Sequence, residues 1–213
     1  IKPIALSDEQ KALYERWVDS RRALVEKMSK GTLGYVHIPQ MDDTAYRTTH
    51  AELFGRAFDK KAVVVDTRFN RGGWLTDDLV TLLSGKQYTW EVAGGIKYKG
   101  DPMKRWTKPS IVVMNEGNYS DGYCFPKGYK ANNIGKTVGM PVPGTCTAVW
   151  WEVLQTEDLV FGIPQMGVAD IQGEFMENNQ LEPDIKVKNT PEEARQGRDP
   201  QLETAVKVLM NTN

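Results

Sequence analysis

Two short apolar runs, each followed by a polar turn that contains glycine, constrain the fold most strongly. Residues 62–65 read A-V-V-V and lead into an N-R-G-G turn at 70–73, and residues 111–114 read I-V-V-M and lead into S-D-G at 120–122. Apolar residues at consecutive positions are typical of strands that are covered on both faces. The pattern therefore predicts at least two buried strands, each with a turn at its end.

Helical and strand-like patterns alternate along the rest of the chain. The S-D-E-Q sequence at 7–10 predicts a capping box that opens a helix, and Gly31 is expected to end that helix. Further strands are expected at 32–38, 149–153, 159–163 and 183–187, and further helices at 44–58, at 75–83, after Ser120 and from Asp199 or Pro200. Residues 88–108 are interpreted as an excursion or hairpin. This order predicts an α/β layered domain with a largely parallel sheet flanked by helices.

Composition excludes several classes of function. The 213 residues suffice for one sizeable domain, and the formal net charge of -1 gives no field that would attract nucleic acid or an anionic membrane. No apolar run approaches the roughly 20 residues that span a bilayer, so membrane insertion is not expected. The chain begins Ile-Lys-Pro without a signal-like core, which predicts a mature or excised piece of a longer protein.

The two cysteines do not have the spacing of a metal site. Cys124 and Cys146 lack any C-x-x-C or C-x-x-H context, so neither a metal nor a cofactor is expected. The first interpretation is a pair of buried free thiols. A disulfide between them is the alternative if the protein is exported.

Ser120 lies where a buried strand gives way to a helix, which is how many hydrolases present a nucleophile. Backbone N–H groups at a helix start are unpaired, and the helix dipole there favours developing negative charge. The glycine turn at 72–73 is expected to supply the other half of an oxyanion hole. However, a Ser-Asp-Gly sequence is also an ordinary helix N-cap, and from this segment alone both interpretations stay open.

Four ordered motifs resemble the catalytic domain of the tail-specific, C-terminal-processing serine peptidases, and within them the tricorn-like branch. The motifs are D-x-R-x-N-x-G-G at 66–73, N-E-x-x-x-S-D-G at 115–122, M-E-N-x-x-L-E-P-D at 176–184 and G-R-D-P-Q-L at 197–202. The resemblance implies a ClpP/crotonase-like layered fold. It also implies a catalytic domain over residues 31–213, with residues 1–30 forming an N-terminal helix that leads in from a missing upstream region.

The resemblance implies a role for each matched residue. Ser120 becomes the nucleophile, the backbone N–H groups of Gly73 and Asp121 become the oxyanion hole, and Glu177 becomes the carboxylate that orients the active site. The implied activity is hydrolysis of peptide bonds in unstructured polypeptides through an acyl-enzyme. The implied partners are a peptide or unfolded protein and, through the full-length protein, further copies of itself. The expected location is the periplasm or another exported site, with the cytoplasm as the alternative.

The general base is missing from the expected position. Many relatives use a lysine about 25 residues after the serine, but Thr145 stands there in this chain, and Lys127, Lys130 and Lys136 lie elsewhere. The tricorn-like branch instead draws a histidine from a segment ahead of a PDZ domain. His37 and His50 are both expected to be packing residues, so the chain is expected to lack its base and to be inactive alone.

Two other interpretations and two local questions remain. The interphotoreceptor retinoid-binding proteins look similar in fold, so a non-catalytic ligand- or peptide-binding module is the alternative function, and the crotonases, which act on acyl thioesters, also resemble this core. Arg68 is expected either to brace its turn or to lie near substrate. Pro126 falls within the helix expected after Ser120, which predicts a later or shorter helix, because proline removes an intrahelical bond.

Overall fold

The computed structural model describes residues 3–212 as helices packed on both faces of a parallel sheet. In chain order the elements are α1 (Leu6–Ser29), β1 (Leu33–His37), α2 (Asp43–Ala51) continued by a π-helical turn (Glu52–Arg56), β2 (Ala62–Asp66), α3 (Thr76–Leu83), β3 (Trp90–Ala93), β4 (Ile96–Lys99), β5 (Ser110–Met114), α4 (Asp121–Ala131), β6 (Lys136–Gly139), β7 (Ala148–Val153), β8 (Val160–Met166), β9 (Ile185–Lys186), α5 (Pro191–Arg195) and α6 (Pro200–Thr212).

The central sheet has five strands in the order β1-β2-β5-β6-β9, and every neighbouring pair is parallel. All residues of β1, β2 and β5 are buried, as expected for strands covered on both faces. The predicted α/β layered domain with a largely parallel sheet is therefore confirmed. Two antiparallel hairpins, β3–β4 and β7–β8, stand outside this sheet, and the first of them is the hairpin expected within 88–108.

Alternate residues of each central strand point to opposite faces and build two separate cores. Val63 and Val65 of β2 pack with side chains of α2, α3 and α4 on one face. Val64 and Ala62 pack with side chains of α1 and α6 on the other face, where Val25 of α1 is fully buried.

Helix α1 begins earlier than the sequence predicts but ends where it predicts. The capping box predicted at 7–10 is wrong, because the helix already begins at Leu6 and its N-cap, Ala5, makes no side-chain cap hydrogen bond. The predicted end is confirmed: Lys30 and Gly31 both take positive φ, at 50° and 77°, and the Gly31 N–H donates to the Glu26 carbonyl.

Parallel strands bring the loops that follow them to one edge of the sheet. Strands β2, β5 and β6 end at Asp66, Met114 and Gly139. Met114 pairs with Gly139, and Asp66 pairs with Val113, the residue before Met114. Residues 66–73, 115–122 and 140–147 therefore converge on one edge of the sheet. As for membranes, none of the helices within residues 3–212 is both long and apolar enough to cross one.

Candidate active site

The turn after β2 is built so that two glycines press against neighbouring backbone. The Asn70 side chain holds this turn, since its amide donates to the Ile38 carbonyl (2.8 Å) and its oxygen accepts the Gly72 N–H (2.8 Å). Gly72 and Gly73 have φ of 83° and 139°, a region that side chains rarely adopt. A Cβ on Gly72 would lie 2.5 Å from the Cβ of Ser120. The turn after β2 thus lies directly against the turn that contains Ser120.

The turn after β5 places Ser120 in a strained backbone conformation at the start of α4. Its φ and ψ are 54° and -124°, and positive φ is uncommon for a residue other than glycine. Two hydrogen bonds hold the turn: the Tyr119 N–H donates to the Asn70 carbonyl (2.9 Å), and the Ser120 N–H donates to Thr145 Oγ1 (2.9 Å). A serine on a sharp strand-to-helix turn is the arrangement of a nucleophile elbow.

The Ser120 hydroxyl is not used as a helix cap. Ser120 occupies the N-cap position of α4, yet its side chain makes no cap hydrogen bond. The hydroxyl also has no hydrogen-bond partner elsewhere in residues 3–212. The interpretation of this serine as an ordinary N-cap therefore has no support in its contacts.

Two backbone N–H groups lie next in sequence to the contact between Gly72 and Ser120. Within the part of the chain that the structure describes, neither the Gly73 N–H nor the Asp121 N–H has a hydrogen-bond acceptor. The Asp121 carboxylate meanwhile accepts the Leu75 N–H (2.5 Å) and the Thr76 hydroxyl (2.6 Å). It thereby ties the start of α3, just after the glycine turn, to the start of α4.

Glu177 and Ser120 both hydrogen-bond the loop that lies between them. Its carboxylate accepts the Thr147 N–H (3.0 Å), and Thr145 of the same loop accepts the Ser120 N–H. Among the described residues, Ser120 and Glu177 make no direct hydrogen bond to each other. The structure therefore brings Ser120, Gly73 and Asp121 together at adjoining turns, with Glu177 one loop away.

The cysteines form a disulfide, so the first interpretation as two free thiols is wrong. Cys124 and Cys146 are bonded, with their Cα atoms 5.9 Å apart. They are 22 residues apart in sequence, but β5 and β6 are neighbouring parallel strands, so α4 and the loop after β6 lie side by side. Spacing along the chain could not reveal this contact.

The two histidines of the chain are occupied away from Ser120. His37 is buried, with Nδ1 2.9 Å from the Tyr14 hydroxyl and Nε2 3.0 Å from the Arg68 carbonyl oxygen. Burial lowers the pKa of His37 below its ordinary value, although the nearby Asp66 opposes this. The His50 ring lies against Phe54, with ring centroids 4.6 Å apart. Both are packing residues, as predicted.

The three candidate lysines are also accounted for. Lys130 pairs with Asp184 (2.9 Å), and Lys127 lies 3.7 Å from Asp170. Lys136 begins β6 and is exposed at the opposite end of the sheet from Ser120. None of the three makes a hydrogen bond or an ion pair with Ser120 in the described residues.

Arg68 braces its turn from inside the protein. Its guanidinium is buried and pairs with Asp66 (2.6 Å) and Asp199 (2.9 Å). Burial alone would lower the pKa of Arg68, but these two carboxylates raise it above its usual value. Of the two expectations for this arginine, turn bracing is confirmed.

Pro126 does not delay or shorten the helix, so that expectation is wrong. Helix α4 runs over Asp121–Ala131 with Pro126 inside it. Proline cannot donate to the carbonyl four residues earlier, which here belongs to Gly122. The buried Asn118 side chain donates to that carbonyl instead (3.0 Å), and the same amide also donates to Thr67 Oγ1 (3.1 Å).

Thr145 and Asn70 shape the site, although neither was predicted from sequence to be a site residue. From sequence, Thr145 was only the residue at the position of the expected lysine. In the structure its hydroxyl accepts a hydrogen bond from the Ser120 N–H. Asn70 was part of a quoted motif but received no role, although it holds both turns. Its position between a strand and two glycines is a signal for Asn70, because Asn side chains commonly stabilise such turns.

Comparison with known proteins agrees with this geometry. The model of a family described as peptidase family S41 matches residues 32–187. The chain is 30% identical over 208 residues to Tricorn protease homolog 1 of Streptomyces coelicolor, covering 97% of this chain and 19% of that protein. It is 31% identical over 209 residues to the Tricorn protease homolog of Saccharolobus solfataricus, covering 96% and 19%.

Among solved structures, the tricorn protease crystal structure superposes with a TM-score of 0.84 at 26% identity, covering 93% of this chain and 20% of that one. The chain thus spans about a fifth of the length of each of these three proteins. The resemblance drawn from the motifs is confirmed, and the chain belongs to peptidase family S41.

Proposed function

We propose that this chain is the catalytic domain of a serine-type peptidase that hydrolyses peptide bonds of unstructured polypeptides through an acyl-enzyme. Ser120 is the nucleophile, the N–H groups of Gly73 and Asp121 form the oxyanion hole, and Glu177 orients the active site. The observation that carries this proposal is the strained Ser120 turn, where the hydroxyl and the neighbouring N–H groups have no hydrogen-bond partner within residues 3–212.

The proposed reaction follows the usual course of acyl transfer. The Ser120 hydroxyl attacks the scissile carbonyl carbon while a general base takes its proton, and the oxyanion that forms is stabilised by the two N–H groups. Collapse breaks the C–N bond, and the leaving amine takes the proton from the base. Water then hydrolyses the ester on Ser120 and releases the acid product.

We further propose that the base is a histidine from a segment upstream of residue 1 in the full-length protein. Neither His37 nor His50 hydrogen-bonds Ser120, and Lys127 and Lys130 face carboxylates instead. These contacts support a base from outside the chain. We therefore expect little or no peptide hydrolysis by residues 1–213 alone, and efficient turnover by that chain would contradict this part of the proposal.

The nucleophile is tested with a fluorophosphonate probe on the full-length protein. We expect covalent labelling at Ser120 that is lost in Ser120→Ala. Ser84→Ala is the matched control, because Ser84 lies at the end of α3 and its exposed hydroxyl donates to the Thr81 carbonyl (3.3 Å). It is expected to label like the wild type. Labelling at another residue, or labelling that survives Ser120→Ala, would refute the assignment.

The alternative is a non-catalytic ligand- or peptide-binding module of the same fold. The observation in its favour is that neither histidine of the chain reaches the serine. A full-length protein that binds peptide but neither hydrolyses it nor reacts with the probe would establish this alternative.

Location and assembly belong to the proposal as well. The Cys124–Cys146 disulfide supports an exported location such as the periplasm, since disulfides persist in oxidising compartments. The cytoplasm is the alternative. Assembly of the full-length protein into a homo-oligomer is likewise proposed from the resemblance to the tricorn-like branch.

A further inference from the structure

The loop of residues 144–147 lies between the two halves of the candidate site and contacts both. On one side, the Ser120 N–H donates to Thr145 Oγ1 (2.9 Å). On the other side, the Thr147 N–H donates to Glu177 (3.0 Å), and the Asn178 N–H donates to the Gly144 carbonyl (2.9 Å). Any movement of this loop would therefore change the position of Ser120 relative to Glu177.

The Thr145 hydroxyl is committed to backbone groups. It accepts the Ser120 N–H and donates to the Pro143 carbonyl (3.4 Å). Ser120 has positive φ, and such a conformation persists only where surrounding contacts hold it. The bond to Thr145 is one of the contacts that fix the backbone of the proposed nucleophile.

A covalent bond fixes the same loop to the nucleophile helix. Cys146, which is largely buried, is joined to Cys124 of α4. Cys124 lies one helical turn after Ser120, and its N–H donates to the Ser120 carbonyl (3.4 Å). The disulfide thus attaches the neighbour of Thr145 to the first turns of the helix that Ser120 opens.

We infer that Thr145 is a positioning residue for Ser120 and that the Cys124–Cys146 disulfide holds the loop in place for this role. Thr145 acts through the Ser120 backbone and touches neither substrate nor reacting atoms. Loss of either the hydroxyl or the disulfide slows acylation, because the Ser120 hydroxyl is then no longer held beside the Gly73 and Asp121 N–H groups. The inference rests on the proposed nucleophilic role of Ser120.

The test compares variants of the full-length protein by fluorophosphonate labelling rate and by steady-state hydrolysis of an unstructured peptide. Thr145→Val removes the acceptor and keeps the shape, and we expect kcat and the labelling rate to fall about tenfold with KM little changed. Thr145→Ser keeps the hydroxyl and is expected to restore both rates to near the wild-type level. Thr48→Val is the matched control, since the exposed Thr48 hydroxyl donates to the Thr44 carbonyl of its own helix, α2 (2.8 Å).

The disulfide is tested on the wild type and on a double Cys124→Ala/Cys146→Ala variant. Reduction of the wild type is expected to lower kcat, whereas the double variant is slow from the start and insensitive to reductant. Adding Thr145→Val to the double variant is expected to lower kcat by a smaller factor than adding it to the wild type, because both changes release the same loop.

The outcomes separate this inference from the proposed function. Full activity of Thr145→Val, or equal impairment of Thr145→Ser, would overturn the positioning role of Thr145 while Ser120-dependent labelling stood. Full activity of the reduced wild type would overturn the role of the disulfide. If Thr145→Val fails to fold, Thr145→Ala, which also removes the hydroxyl, takes its place in the same comparison. A wild type that the probe does not label at Ser120 would instead contradict the proposed function itself.

Discussion

At the scale of single residues, Gly72 is the point where the two turns of the site touch. An added Cβ there would lie 2.5 Å from the Ser120 Cβ and 2.8 Å from the Tyr119 carbonyl oxygen. Both neighbours belong to the turn that orients the proposed nucleophile. A methyl group at Gly72 would therefore displace that turn as well as strain its own backbone.

We predict that Gly72→Ala lowers the fluorophosphonate labelling rate of the full-length protein by at least about tenfold. Positive φ costs a non-glycine residue roughly 1–2 kcal/mol, and the clash adds about 1–3 kcal/mol of lost stability in urea denaturation. Gly94→Ala is the control, because Gly94 has φ of 57° and nothing within 4 Å of an added Cβ. Gly94→Ala should lose only the stability that its positive φ takes away, and the probe should label it at the wild-type rate. Equal labelling by both variants would show that contact between the turns does not position Ser120.

The residues of the site were predictable from sequence only where a local pattern carries them. Ser120, Gly73 and Asp121 each lie six to eight residues after an apolar run, so their position in a loop that follows a strand could be predicted. The contact between Thr145 and the Ser120 N–H joins residues 25 apart, and the disulfide joins residues 22 apart. Such contacts depend on strand order, which local patterns do not contain.

At the scale of elements, α4 accommodates a proline because a side chain outside the helix replaces the missing donor. Asn118 donates to the Gly122 carbonyl, which Pro126 leaves without its usual partner. From sequence, Pro126 predicted a later or shorter helix. That prediction failed because it considered only bonds within the helix.

We predict that the effects of Asn118→Ala and Pro126→Ala on the free energy of unfolding are coupled. Asn118→Ala alone leaves a buried carbonyl unpaired and should cost about 1–3 kcal/mol in urea denaturation of the 213-residue chain. In the Pro126→Ala background the new N–H can reach the Gly122 carbonyl, so the cost should be smaller by about 1 kcal/mol.

Asn132→Ala provides the control for this cycle. The Asn132 amide also donates to a carbonyl of α4, that of Gly128 (2.9 Å), but that carbonyl already accepts a backbone N–H. Its effect should add to that of Pro126→Ala without coupling. A coupling near zero between Asn118→Ala and Pro126→Ala would contradict the replacement of the donor.

At the scale of the whole molecule, the class of fold was predictable but the arrangement of the sheet was not. Consecutive apolar residues in β2 and β5 identify strands buried on both faces. The same uniformity removes any pattern that would say which strands are neighbours. The order β1-β2-β5-β6-β9 places β9 at one edge, and although a strand was predicted at 183–187, its sequence does not indicate which strand it pairs with.

Buried charges connect the layers on this sheet edge. Arg68 pairs with Asp66 of β2 and with Asp199 at the start of α6, and Arg21 of α1 lies 3.5 Å from the same Asp199. Burial alone would raise the pKa of Asp66, but the Arg68 guanidinium outweighs it and holds that pKa below its ordinary value. The stabilisation from the Asp66 carboxylate is therefore present above about pH 4 and is lost as pH falls through the lowered pKa.

His37 lies beside these buried charges, and its protonation affects stability at a higher pH than that of Asp66. Burial lowers its pKa, so below about pH 6.5 the unfolded chain binds a proton that the folded ring does not. Stability should therefore fall as pH drops below about 6.5, with a slope of at most about 1.4 kcal/mol per pH unit, until the lowered pKa is reached. As pH falls, this loss of stability begins before the loss that follows from protonation of Asp66.

We predict that His37→Gln removes the first of these two losses and keeps the second. The free energy of unfolding, measured by urea denaturation from pH 8 to pH 3.5, should stay level between about pH 6.5 and 5 in this variant, because glutamine does not titrate. The His50→Gln variant is the control, since His50 is the other histidine of the chain and its ring lies against Phe54. It should retain the wild-type fall. An unchanged fall in His37→Gln would mean that a different group binds the proton on unfolding.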